Sequence, residues 1–325
     1  MPFDKVKSLD SRSGATLHLY MSEAQAEPRG IVLVFHGLAE HAGCYGRFAG
    51  ELSQAGFHVL AHDHRGHGST VAADAPLRRF AGTGGAEKVL KDCRAVHLHA
   101  NELFGDLPLV VFGHSLGAMI ALNYGERFGR DLSGLCVWNA DFAHGLERRL
   151  GRIALKAEKA LKGSDVASDL SRRFTFDAWA KSVSPRRTPF DWLSHDEAEV
   201  DKYMSDPLCG FTPTVSMMED IARLVFEAGS KPGLSLVPSD LPLHILGGSE
   251  DPATRNGKAI VELADELSRL DCDRIESLVI PGARHATLIE TETYRRPAME
   301  SLLAFLDRAV AHPGPVTSSG MGVSS

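Results

Sequence analysis

The run Val110-Val111-Phe112-Gly113-His114-Ser115-Leu116-Gly117-Ala118-Met119 decides how the rest of the chain is read. Its first three residues are apolar, as in a buried strand, and an apolar helical pattern begins at Leu116. Gly-His-Ser-Leu-Gly must therefore turn the chain sharply from strand to helix. In a G-x-S-x-G turn of this kind the serine hydroxyl is exposed at the bend. Gly113 and Gly117 lack side chains for a steric reason, because the bend brings backbone segments too close for a β-carbon. The helix that follows points its unpaired N–H groups and positive dipole end toward the serine.

Outward from this bend, apolar runs alternate with helical patterns. Turn residues at 10–14 and polar–apolar alternation at 16–20 predict a hairpin over 5–20. A continuous apolar run at 31–35 predicts a strand buried on both faces, a second buried strand is predicted at 57–61, and further strands at 107–112 and 132–138. Helices are predicted over 45–54, 87–104 and 116–128. This rhythm implies a doubly wound, mostly parallel α/β sheet. It stops at 141–237, where helical patterns and proline-rich joints replace it, and resumes with strands at 241–246 and 275–280 and helices at 257–270 and 294–311. The expected organisation is a core of 1–140 and 238–312, a helical cap of 141–237 inserted between sheet strands, and a disordered Gly/Ser/Pro-rich tail of 313–325.

Composition narrows the function. A 325-residue chain that is 43% hydrophobic and 24% charged is ordinary for a globular enzyme. A net charge of −7 argues against a nucleic-acid partner. No apolar stretch approaches the ~18 residues that a membrane span needs. The start, Met1-Pro2-Phe3-Asp4-Lys5, lacks the pattern of a secretory signal. The cysteines, Cys44, Cys93, Cys136, Cys209 and Cys272, are odd in number and form no C-x-x-C pair. Reduced thiols and a cytoplasmic location are the expectation.

A serine hydroxyl needs a base within hydrogen-bond reach and a third group to orient that base. In a parallel α/β sheet such partners sit just beyond the carboxyl ends of strands. Leu243-His-Ile-Leu-Gly-Gly-Ser-Glu-Asp251 ends one predicted strand with an acid, and Leu278-Val-Ile-Pro-Gly-Ala-Arg-His285 ends the next with a histidine. Ser115, Asp251 and His285 are the candidate catalytic residues, with Glu250 the rival acid. A developing oxyanion needs two fixed donors, each worth roughly 3 kcal/mol of barrier. The backbone N–H groups of Leu116 and Leu38 are the candidates.

These segments resemble the α/β-hydrolase superfamily. More narrowly, the chain is similar to its monoacylglycerol lipase and lysophospholipase branch, which includes serine-aminopeptidase-like relatives. His36-Gly37-Leu38-Ala39-Glu40-His41-Ala42-Gly43-Cys44-Tyr45 follows that branch's H-G-x-x-E-H-x-x-x-Y loop. Asp63-His64-Arg65-Gly66-His67-Gly68-Ser69 and Asp206-Pro207-Leu208 follow two further segments. The resemblance covers roughly 15–310 and is loose in the cap, at 141–203. It implies an α/β-hydrolase fold and hydrolysis of single-chain acyl esters such as monoacylglycerols or lysophospholipids. The alternatives are an esterase, lactonase or peptidase on a small non-lipid substrate, and a non-catalytic ligand receptor, which the presence of all three candidate residues disfavours. No cofactor is expected.

Other residues invite different readings. His62-Asp63-His64 with His67 lacks metal-ligand spacing, so no metal is expected, and structural roles suit His36, His41, Asp63, Arg65 and Gly66. In 146–162, Leu146, Leu150, Ile153, Ala157 and Leu161 share one helical face, and basic residues outnumber acidic ones. The expectation is a cap helix that packs this face on the core, the alternative being contact with an anionic membrane surface. Trp179, Trp192, Phe190 and Leu193 are expected to be packing residues, the alternative being walls of an acyl pocket, and Cys209 is no second nucleophile without its own base.

Overall fold

A computed structural model describes residues 3–143 and 145–311, except for the side chains of 146–149. The tail expected at 313–325 and the side chain of Leu146 lie outside the described residues. The strands are β1 (Lys5–Asp10), β2 (Ala15–Ser22), β3 (Gly30–Phe35), β4 (Phe57–His62), β5 (Val71–Ala72), β6 (Leu109–His114), β7 (Gly134–Trp138), β8 (Leu243–Gly248) and β9 (Ile275–Ile280). They form one sheet in the order β1-β2-β4-β3-β6-β7-β8-β9, with β5 on β2. The β1–β2 hairpin joins antiparallel, and every pairing from β4 to β9 is parallel.

Helices cover both faces, as a parallel sheet requires. They are α1 (Gly46–Gln54), α2 (Gly85–Phe104), α3 (Leu116–Phe128), α4 (Leu146–Lys162), α5 (Asp169–Phe174), α6 (Phe176–Ser182), α7 (Glu197–Ser205), α8 (Val215–Ala228), α9 (Lys231–Leu234), α10 (Lys258–Ser268) and α11 (Glu292–Ala311). Strand alternation divides the core. Leu33, Val111, Leu135 and Ile245 face α2, α3 and α10, whereas Val32, Val34, Phe112 and Trp138 face α1 and α11. Burying each large side chain contributes about 1.5–3 kcal/mol, so β3 and β6, wholly enclosed, are rigid supports for the loops at their carboxyl ends.

Between β7 and β8 come the helices α4 to α9. Met217, Ile221 and Leu224 of α8 join the same core cluster as α3. The expected packing of α4 is overturned. Leu150, Ile153 and Leu161 are 53%, 63% and 85% exposed, and the buried positions among its described side chains are Leu155 and Glu158. The reason is polar. The Glu158 carboxylate accepts hydrogen bonds from the Ser168 hydroxyl (2.7 Å) and the Asp169 N–H (3.1 Å), at the start of α5. Burying that cap turns the apolar stripe of α4 outward, against its periodicity.

Candidate active site

Ser115 occupies the bend between β6 and α3 with φ 55° and ψ −116°, a strained backbone for a residue with a β-carbon. Its N–H donates to the Trp138 carbonyl (2.9 Å), and its own carbonyl accepts from Ala118 (3.0 Å) and Met119 (3.1 Å). A β-carbon on Gly117 would sit 1.9 Å from the Phe35 carbonyl oxygen, and one on Gly113 would sit 2.2 Å from that of Gly117. The first of these approaches places the start of α3 directly against the loop that leaves β3.

The structure brings Ser115, Asp251 and His285 together from three strand ends. His285 Nε2 lies 3.0 Å from Ser115 Oγ, and its Nδ1 lies 2.9 and 3.0 Å from the two Asp251 carboxylate oxygens. A carboxylate only accepts, so Nδ1 carries the proton and the Nε2 lone pair faces the serine hydroxyl. Asp251 is fully enclosed and His285 is 3% exposed. Glu250 points elsewhere: its carboxylate is 57% exposed and 3.6 Å from His195.

Two residues absent from the sequence reading hold the acid. Asn139 donates from Nδ2 to Asp251 Oδ2 (3.1 Å), and its own carbonyl oxygen accepts from the Thr287 hydroxyl (3.0 Å). The Ala253 N–H adds a bond to Asp251 Oδ1 (2.9 Å). Asn139 directly follows β7, so the strand-end rule that found Asp251 and His285 also points to it.

Among the described residues, the Leu38 and Leu116 N–H groups have no acceptor within the protein. The Leu38 loop is tightly determined: Ala39 has φ 57°, and Glu40 accepts from the Gly37 N–H. Glu40 also accepts from the Tyr45 hydroxyl (2.6 Å), whose oxygen lies 3.2 Å from His114 Nδ1. The opposite nitrogen of His114, Nε2, lies 3.1 Å from the His285 carbonyl oxygen. Tyr45 has spent its proton on Glu40, so both His114 nitrogens act as donors, which makes the ring an imidazolium. Burial opposes both charges. The His114 hydrogen bond and charge nevertheless hold Glu40 down at about 2, and Glu40 raises His114 above its ordinary value. This chain ties the candidate oxyanion loop to the backbone of His285, and sequence reading assigned it no role.

His36 packs beside this loop, against the His64 and His67 rings. His36 donates from Nδ1 to the Gly37 carbonyl (2.8 Å) and accepts at Nε2 from the His64 N–H (2.9 Å). Burial pushes its pKa well down, so it stays neutral. Asp63 accepts from the Ala42 (2.8 Å) and Ser69 (2.7 Å) N–H groups, and enclosed Arg65 pairs with Asp92 at 2.7 Å. Two groups of His and Cys donor atoms lie within 4.8 Å of one another, His41–Cys44–Cys209 and His62–His64–Cys93, and neither includes the residues around Ser115.

The segment between β7 and β8 closes over His285. The Ala286 N–H donates to the Leu193 carbonyl (2.7 Å), and the Trp192 and Trp179 rings lie 5.0 and 6.3 Å from the imidazole. A small hollow of about 80 Å³ beside Ala39 is lined by Phe176, Pro189, Phe190, Tyr203 and Phe211. A larger hollow of about 250 Å³, lined by Pro242, Arg274 and Phe305, lies at the amino ends of β8 and β9, away from Ser115.

Known proteins are similar to this chain in sequence and fold. The family profile Hydrolase_4, described as "Serine aminopeptidase, S33", matches residues 26–292. The chain is 30% identical to a monoacylglycerol lipase of Mycolicibacterium smegmatis over 276 residues, 82% of this chain and 84% of that protein. A thermostable carboxyl esterase from Bacillus coagulans, solved with glycerol, superposes with a TM-score of 0.84 at 26% identity, covering 95% of this chain and 99% of that one. A monoglyceride lipase variant from Saccharomyces cerevisiae superposes with a TM-score of 0.72 at 19% identity, covering 95% of each chain, which speaks to the fold alone. The chain belongs to the S33 serine aminopeptidase family of α/β-hydrolases, in its monoacylglycerol lipase-like branch.

Proposed function

We propose that the protein is a serine carboxylic-ester hydrolase acting through an acyl-enzyme on single-chain acyl esters such as monoacylglycerols or lysophospholipids. The observation that carries the reaction is the unbroken line Ser115 Oγ, His285 Nε2, His285 Nδ1, Asp251 at hydrogen-bond distances. His285 takes the serine proton as Oγ attacks the ester carbon. Asp251, held by Asn139, keeps the ring in its reactive tautomer and stabilises the imidazolium. The Leu38 and Leu116 N–H groups receive the oxyanion. His285 then protonates the departing alcohol, and a water activated by the same nitrogen releases the acid.

The lipid part of the proposal is supported by the similarity to monoacylglycerol lipases and by α4. Its outward stripe, Leu150, Ile153, Ala157 and Leu161, with exposed Lys156 alongside, suits the surface of an anionic bilayer. In this reading 141–237 is a cap that collects substrate from that surface, over a core of 1–140 and 238–312. No helix among the described residues is long and apolar enough to cross a membrane. Five free thiols fit a reducing compartment, so we place the protein in the cytoplasm, in peripheral contact with membrane.

A carboxylesterase on short esters is the second reading, favoured by the superposition on the Bacillus coagulans enzyme. Rates on p-nitrophenyl esters and monoacylglycerols of graded chain length separate the two. The lipid reading expects kcat/KM to rise from two-carbon to eight- to twelve-carbon acyl groups, and a strong preference for the two-carbon ester would contradict it.

A further inference from the structure

We infer that the protein binds one soft divalent metal ion, zinc by its donor set, between His41, Cys44 and Cys209. This is the seam where the loop after β3 meets the segment that follows α7.

Cys44 and Cys209 are 165 positions apart in the chain, yet their sulfurs are 3.9 Å apart. Two thiolates on one tetrahedral zinc, each about 2.3 Å from the ion, stand about 3.8 Å apart. A disulfide would require closure to about 2.05 Å. His41 completes the set, with one ring nitrogen and the two sulfurs all within 4.8 Å of one another. Its Nε2 lies 3.0 Å from Asp206 Oδ2. The carboxylate claims the proton on that nitrogen, so in the neutral ring Nδ1 carries the lone pair an ion would take, and Nδ1 is buried without a hydrogen-bond partner. A carboxylate that orients an imidazole whose other nitrogen is free is the usual outer shell of a bound metal.

The chemistry selects the ion. Two sulfurs and an imidazole favour zinc over calcium or magnesium, which want oxygen. All three residues are partly exposed, so an ion can enter and keep water at its fourth position. The second His/Cys group, His62, His64 and Cys93, is wholly enclosed and offers no open position for exchange with solvent. Spacing in the sequence argued against a metal at His62–His67. It could not test a ligand pair so far apart.

An ion here would pin two parts of the fold. His41 and Cys44 lie on the loop that carries Leu38, and Cys209 precedes Gly210, whose N–H donates to the Ala39 carbonyl at 2.9 Å. The site contains none of Ser115, Asp251 or His285, so the inference stands independently of the catalytic reading.

The test uses the full-length protein, reduced, stripped with a chelator and counted for free thiols, then titrated with Co²⁺. The expected result is thiolate-to-cobalt charge-transfer absorption that saturates at one equivalent and is bleached by Zn²⁺. Cys44→Ser and Cys209→Ser, checked for native circular dichroism, should lose the band, and Asp206→Asn should weaken binding about 10- to 100-fold. Zinc should raise the thermal midpoint of the wild type and leave that of Cys44→Ser unchanged. No band with both thiols free, or an unaltered titration in Cys44→Ser, would overturn the inference. So would a native Cys44–Cys209 disulfide whose reduced form takes up no metal.

Discussion

Replacing Glu40 with glutamine should remove a stability contribution whose size and pH window follow from the chain Glu40–Tyr45–His114. The Glu40 carboxylate is held at about 2 against an ordinary 4.5. That depression corresponds to about 3 kcal/mol of folding free energy. The folded value lies below the unfolded one, so the contribution is complete above pH 4.5 and is lost as pH falls from there toward 2. By about pH 3 the linkage relation removes about 2 kcal/mol of it. His114 is the other half of the same pairing. Its folded value is raised, so its contribution is complete below 6.5 and is lost as pH climbs through that raised value, and the two are not summed. Urea unfolding of the wild type and Glu40→Gln at half-unit steps from pH 7 to 3 reads this directly. Near neutrality the variant should be less stable by up to about 3 kcal/mol, and the gap should shrink by about 2 kcal/mol on acidification to about pH 3. A gap that stays constant across the window would refute the assignment of Glu40 as a buried, ionised partner of His114.

Asp251→Asn keeps the shape of the site but lets His285 adopt the wrong tautomer, so kcat should fall by a factor on the order of 10⁴ while KM changes little; a loss under tenfold would remove Asp251 from its role. Ile153→Asp, on the exposed stripe of α4, should change unfolding free energy by no more than about 0.5 kcal/mol. The same variant should weaken sedimentation with anionic phospholipid vesicles, and unchanged vesicle binding would take α4 out of the membrane contact.

What the sequence could show depended on how local the signal was. A parallel strand buried on both faces is mostly apolar along its length, so β3, β4, β6 and β7 were readable from a few residues each. The meeting of Asp251 and His285 beside Ser115 was readable because each follows such a strand. Asn139 obeyed the same rule but carries no charge, and so drew no notice. The Glu40–Tyr45–His114 chain joins residues whose local motif shows nothing of the hydrogen bonds between them. In α4 the apolar periodicity pointed the wrong way, because one buried carboxylate, Glu158, outweighed it. The approach of Cys44 to Cys209 is a property of the assembled fold and has no local sequence signature.

The proposed mechanism makes Ser115 the nucleophile and His285 its base. Labelling the intact protein with a fluorophosphonate and mapping the adduct by peptide mass spectrometry tests it most directly. The expected result is a single adduct on Ser115 in the wild type, none in Ser115→Ala, and labelling slowed by orders of magnitude in His285→Ala. A folded wild-type protein that resists the probe, or an adduct on any other residue, would contradict it.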